Sequence, residues 1–305
     1  MAIWSSGVAS GAAIRRPSVA GSFYPADPAS LAVLVDELLV RADRLAAGAE
    51  PLERTVLGLL VPHAGLEYSG VVAAAAWRLL RSGSGEVPPT IVVLGTNHVA
   101  AGLEGVAAWD AGAWRTPLGD LAVDADLAGA IVELGRPFTV DRRAHSGEHA
   151  IEVQLPLVQV VAPEATIVPL AVSVGPAAPA VTAGETLGAL LARRRAAGQR
   201  IVLVISSDMA HYPSAAACDR VTAALVPSIE RLDAAGLART EREVVDAGTP
   251  GLLCGMCGIA PAILGLAATR AFGASRGISL AAATSFDAGG PAERTVGYLA
   301  TAFIA

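Results

Sequence analysis

The sequence predicts an α/β protein, a three-layer sandwich with a mainly parallel, mixed central sheet. Three observations lead there. Apolar runs of strand length recur at 55–62, 90–96, 166–173, 200–206, 278–284 and 295–304. Helical patterns lie between most of them, at 29–47, 70–82, 125–134, 148–160, 180–197, 215–236 and 258–272. The chain has 305 residues, 53% of them hydrophobic and 16% charged, which is ample for a large core. Near-continuous apolar strands alternating with helices describe a sheet covered on both faces.

Taken in order, residues 1–13 read as a flexible tail. They carry no basic stretch ahead of an apolar core, so they do not form a secretory signal. Residues 14–305 read as one domain, because no linker, composition shift or repeat divides them. The first helix opens on Asp27-Pro28, with Leu31, Leu34, Val35, Leu38 and Leu39 along one face. The strands at 55–62 and 90–96 run out into Pro62-His63 and Asn97-His98. Thr116-Pro117-Leu118-Gly119-Asp120 turns a small hairpin. Arg193, Arg194 and Arg195 end the helix at 180–197, where cations suit the carbonyl end of the dipole. The strand at 200–206 leads into Ser207-Asp208-Met209-Ala210-His211.

Composition excludes several roles. With 22 basic and 28 acidic residues the net charge is −6, and no basic surface run stands out, so nucleic acid is not an expected partner. The uncharged stretches 165–184 and 249–269 are broken by Pro and Gly, so both read as buried segments and no membrane span is expected. Cys218, Cys254 and Cys257 make no disulfide framework, which points to a reducing, cytoplasmic setting. The abundant alanine suits close helix packing, or burial of part of the surface in a homo-oligomer.

The chemistry concentrates where strands end. Three of the five histidines, His63, His98 and His211, follow strand-like runs. In an open α/β sheet, ligands bind beyond the carboxyl ends of the strands. Two imidazoles from neighbouring strand ends begin a zinc, iron or copper site. Asp208 and His211, three apart, read as an acid–base pair, as further ligands, or simply as the N-terminus of the next helix capped by Ser207 or Asp208. Glu148 and His149 offer polar groups at a helix start, and His145 reads as a solvated loop residue. Cys254 and Cys257 form a Cys-x-x-Cys. Cys257 reads as a small apolar residue opening the last helix, whereas Cys254 supplies a thiolate if it faces His63 and His98.

Six blocks in order resemble the Memo family, also called AmmeMemoRadiSam system protein B. They are Arg16-Pro17-Ser18-Val19-Ala20-Gly21-Ser22-Phe23-Tyr24-Pro25; Pro62-His63-Ala64-Gly65 with Tyr68-Ser69-Gly70; Gly95-Thr96-Asn97-His98; Thr116-Pro117-Leu118-Gly119; Glu148-His149 with Glu152-Val153-Gln154-Leu155-Pro156; and Ser206-Ser207-Asp208 with His211-Tyr212. Cys254-Gly255 also matches. The resemblance implies the fold of LigB-type class III extradiol dioxygenases, non-haem iron enzymes. Carried over by position, it implies His63, His98 and Cys254 as metal ligands. Asp208, His211 and His149 would be catalytic, and Tyr68, Asn97 and Glu148 would line the substrate pocket. Fe(II) is the implied metal, with copper and zinc as alternatives, since a thiolate is softer than the dioxygenases' carboxylate. Thr96-Asn97 and Met256-Cys257-Gly258 depart from the family's usual residues.

Three functions compete at this level. The first is a metal-dependent redox enzyme resembling the dioxygenases, acting on a small molecule. The second is a binding or adaptor protein for peptides with a vestigial pocket, since some relatives resemble phosphotyrosine adaptors. The third is a hydrolase with Cys254 as nucleophile. The family name links the chain to a radical SAM enzyme and an AMMECR1-type protein.

Overall fold

The computed structural model describes residues 13–47, 54–81, 85–175 and 177–305. Almost all of the expected N-terminal tail, residues 1–12, lies outside the described residues.

Four parallel strands form the centre of an eight-stranded sheet: β2 (Val56–Val61), β3 (Thr90–Thr96), β8 (Thr166–Ser173) and β9 (Ile201–Ser206). Each is buried along nearly its whole length, the signature of a sheet covered on both faces. On one flank β11 (Gly297–Ile304) runs antiparallel to β2, and β10 (Arg276–Thr284) antiparallel to β11. On the other, β4 (Gly105–Ala108) runs antiparallel to β8, with β7 (Phe138–Val140) at the edge. The order across the sheet is β10-β11-β2-β9-β3-β8-β4-β7. The expectation of a mixed, mainly parallel sheet in a layered α/β fold is met.

One helical layer comprises α1 (Pro28–Leu45), α2 (Leu66–Trp77) and α4 (Leu155–Val161). As expected, α1 starts at Asp27, whose carboxylate caps the Ser30 N–H at 2.8 Å. The opposite layer comprises α5 (Ala177–Ala196), α6 (Ala215–Glu230), α7 (Ala234–Asp246) and α8 (Ile259–Phe272). Close packing of α5 on α8 accounts for part of the small-residue excess. A Cβ on Gly184 would stand 2.2 Å from the Leu264 carbonyl oxygen, and one on Gly188 2.2 Å from that of Ala268. No helix among the described residues is long and apolar enough to cross a membrane.

Several elements differ from the sequence reading. The pattern at 215–236 is two helices, because Leu232 turns left-handed (φ 55°) and Asp233 caps a new helix. The pattern at 148–160 is only α4, preceded by one 3-10 turn over Glu152–Gln154. The short strands β1 (Ile14–Arg15), β5 (Ala113–Thr116) and β6 (Gly119–Ala122) form a separate three-stranded sheet, β5 and β6 making the expected hairpin. A short helix, α3 (Ala125–Val132), follows, capped by Asp124.

Candidate functional site

Strands β2, β9 and β3 are neighbours, and their carboxyl ends are level: Val61 pairs with Ser206, which also pairs with Gly95. Just beyond these ends stand His63, Asp208 and His98. His211 follows, its backbone bridged both to Cys254 and to Val296. From the opposite layer, the loop ahead of α8 delivers Cys257. Its position is fixed by the Gly258 N–H, which donates to the Ser207 hydroxyl at 2.9 Å.

Three imidazoles gather here. The His63 and His98 rings lie 5.3 Å apart, edge to face. His149 stacks on His98 at 4.6 Å, stands edge-on to His63 at 5.4 Å, and is backed by Phe23 at 4.8 Å. His63 is 1% exposed and forms the floor. The His98 side chain, 29% exposed, stands at the mouth.

The thiol that reaches the histidines is that of Cys257, with Sγ 3.1 Å from His63 Nε2. His63, His98 and Cys257 hold their ligand atoms within 4.8 Å of one another, as do Asp208, His211 and Cys257. Cys254 belongs to no such group among the described residues. The geometry thus brings Cys257 to the imidazoles, where the sequence pointed to Cys254. Cys254 is held to the His211 strand by two backbone hydrogen bonds, His211 N–H to Cys254 O and Leu253 N–H to His211 O. Cys257 comes three residues later, where the chain enters α8 and turns inward.

Both ligand-type histidines are committed at Nδ1. His98 Nδ1 lies 2.9 Å from Glu148 Oε1, and His63 Nδ1 lies 3.1 Å from Ser206 Oγ. Each therefore presents Nε2 to the pocket. Glu148 is fully buried and accepts the N–H groups of His98, His149 and Ala150 as well. Burial alone would raise its pKa, but these hydrogen bonds and the His98 charge bring it down to about 2. It is not free to meet a substrate, as the sequence suggested. It orients His98 from behind.

Asp208 is buried, and its Oδ1 accepts the His63 and Ala64 N–H groups. Burial nonetheless lifts its carboxyl to about 7. His211 Nε2 lies 3.8 Å from Asp208 Oδ2, within ion-pair reach, yet it has no hydrogen-bond partner. Burial and the nearby His98 and His149 charges lower His211 to about 4. Between pH 4 and 7 both groups are therefore neutral, and the contact is not an ion pair. His63 is likewise held well below its ordinary value by burial, then by the charges of His149, His98 and His211. The Cys257 thiol is pushed well above its ordinary value by burial, then by Asp208. Cys254 rises to about 11 through burial and then Glu241.

The remaining expected residues fall as follows. Tyr68 is 47% exposed near the start of α2. The Asn97 amide closes its own loop, donating to Ala100 O at 3.0 Å and accepting from Ala100 N at 2.8 Å, so its polar groups are already used. Neither Ser207 nor Asp208 caps a helix, since α6 begins only at Ala215 with Ser214 as N-cap. His145 is not a solvated loop residue. It is fully buried between Trp109 and Trp114, with Nε2 3.0 Å from Ala107 O. Ser206 and Gln154, which stand in the blocks that carry the resemblance, also reach this site: Ser206 Oγ meets His63 and Gln154 Nε2 donates to Ser206 Oγ. The signal available was a polar side chain at the buried end of a strand and a glutamine within an apolar helix start.

Glu152 secures the N-terminal segment to this edge. Its buried carboxylate takes Arg15, the Ser18 N–H and hydroxyl, the Val19 N–H and the Tyr24 hydroxyl. Phe23, which backs His149, is held between these anchors.

The sequence profile of Memo-like proteins matches residues 15–302. A MEMO1 family protein of Methanopyrus kandleri is 35% identical over 295 residues, covering 95% of this chain and 98% of the relative. One from Aquifex aeolicus is 34% identical over 294 residues, covering 95% and 99%. The crystal structure of an uncharacterized protein from Escherichia coli K12 superposes with a TM-score of 0.47 at 16% identity, covering 81% of this chain and 99% of that one.

Proposed function

The chain belongs to the Memo-like family, and from that premise we propose that it is a metal-dependent redox enzyme of the non-haem type. The observation that carries this reading is the convergence of His63 Nε2, the outward edge of His98 and Cys257 Sγ. Both imidazoles have Nδ1 engaged from behind, the arrangement found behind metal-bound histidines. The orphaned His211 Nε2 adds a buried polar atom aimed at the same space. Two imidazoles and a thiolate suit Fe(II), copper or zinc. Once bound, such an ion supplies Lewis-acid polarisation and, for iron or copper, one-electron chemistry.

The chain's own residues supply the rest. His63 and His98 would hold the ion through Nε2, and Glu148 keeps the His98 ring in one orientation. Cys257 would hold the ion as a thiolate, which requires its proton to leave. His211, neutral above about pH 4, and Asp208 where it is ionised, above about pH 7, are the groups placed to take it. A carboxyl titrating near pH 7 beside a neutral imidazole is matched to moving protons at physiological pH. His149, stacked on His98 and open to the mouth, faces an incoming substrate.

Anaerobic purification followed by metal analysis tests this reading. About one iron or copper ion per chain is expected in the wild type. His63→Ala and Cys257→Ser should lose it, and Cys254→Ser should keep it. A wild-type protein that takes up no iron, copper or zinc on titration would refute the reading. Loss in Cys254→Ser with retention in Cys257→Ser would transfer the thiolate to Cys254.

A further inference from the structure

The two histidines reach the same pose by different means. His98 has a carboxylate behind it. His63 has Ser206 behind it, whose hydroxyl can either donate or accept. The groups around Ser206 remove that freedom, because the outermost ones can act in only one way.

Trp77 Nε1–H can only donate, and it lies 2.9 Å from Gln154 Oε1. This turns the Gln154 amide nitrogen toward the Pro62 carbonyl at 2.8 Å and Ser206 Oγ at 3.1 Å, and it donates to both. Ser206 has one proton, and the Ala150 carbonyl, an acceptor only, takes it at 2.6 Å. The serine oxygen therefore faces His63 as an acceptor, and Nδ1 must be the donor. Trp77, Gln154, Ser206 and His63 are each no more than 1% exposed, so water cannot rewrite the pattern.

We propose that Trp77, Gln154 and Ser206 form a hydrogen-bond relay that fixes His63 as its Nδ1–H tautomer, aiming the Nε2 lone pair at Cys257 Sγ. Gln154 and Ser206 are positioning residues. Every valence of the serine oxygen is used: one proton given, two accepted. The functional consequence rests on the metal reading above, but the tautomer belongs to the metal-free chain and can be measured without it.

The test is a two-bond 1H–15N correlation spectrum of chelator-treated, histidine-labelled protein at pH 8. The His63 signals are assigned by their loss in His63→Gln. The expected pattern has Nδ1 protonated and Nε2 bare. Ser206→Ala should move a large fraction of His63 to the Nε2–H form and weaken anaerobic Co(II) binding by about 10-fold or more. Ser206→Thr, which keeps the hydroxyl, should retain the wild-type tautomer. A wild-type His63 protonated at Nε2 overturns the relay whether or not any variant folds, as does a folded Ser206→Ala with the tautomer unchanged. Wild-type protein with Nδ1–H but no affinity for Co(II), Fe(II) or zinc supports the relay and refutes the metal reading.

Discussion

Glu148 grips His98 twice: Oε1 takes the ring Nδ1 at 2.9 Å and Oε2 takes the same residue's backbone N–H at 2.6 Å. Ring and backbone are thus held by one buried carboxylate. Glu148→Gln keeps the shape but puts N–H groups where acceptors are needed. It should cost roughly 2–3 kcal/mol of stability and about 10–100-fold in metal affinity. Urea unfolding and Co(II) titration measure the two effects. An unchanged affinity would mean His98 is not oriented by this carboxylate.

His145 gives the protein a pH dependence that does not involve the site. Burial lowers it to about 4 against an ordinary 6.5. The unfolded chain then binds a proton that the folded chain refuses. Its contribution is complete above about pH 6.5 and is lost as the pH falls toward 4, by roughly 3 kcal/mol at most. Comparing wild type with His145→Gln, the wild-type advantage should shrink over that range. An advantage that grows on acidification would contradict the buried neutral ring.

Asp208 works in the opposite sense in the metal-free protein. Its carboxyl is raised to about 7, so folding favours the protonated form. That contribution is full below about pH 3.8 and disappears as the pH rises through 7. Relative to Asp208→Asn, chelated wild type should lose a few kcal/mol between pH 5 and pH 8. Denaturant midpoints at the two pH values suffice, and the opposite trend would indicate an ionised, paired carboxylate.

Cys257 should be a poor nucleophile. Its thiol is raised by burial and by Asp208, and thiolate fraction governs alkylation. Metal-free protein at pH 7.5 should react with iodoacetamide at Cys257 more slowly than free cysteine does. Rapid, selective labelling there would instead favour cysteine-nucleophile hydrolysis.

The α5–α8 seam tolerates no side chain at its closest point. Gly184→Val would force a Cβ to within 2.2 Å of the Leu264 carbonyl and should cost at least about 3 kcal/mol, read as a lowered Tm.

The sequence made the sheet legible because four central strands are apolar along nearly their whole length, and it made His63, His98 and Asp208 legible because they follow those strands directly. Choosing between Cys254 and Cys257 needed the bridge between His211 and Cys254, a pairing across some 40 residues that no local pattern records. The burial of His145 leaves no local trace in the sequence, because its segment folds beneath two tryptophans that arrive from β5 and the segment before it. The break at Leu232 was hidden because both halves of 215–236 carry helical periodicity, and only the left-handed turn separates them.

The level ends of β2, β9 and β3 divide the centre into a fixed half and an exchangeable half. His63, Asp208 and His98 are set by the ladder of the sheet, so their mutual spacing cannot drift without shearing paired strands. Cys257 belongs to an inter-helix loop, tied back by the backbone bonds between His211 and residues Leu253 and Cys254 and by the bond from the Gly258 N–H to Ser207. Under the metal reading proposed above, replacing Cys257 alone would therefore change the hardness of the donor set, and with it the preferred ion, without touching the paired strands.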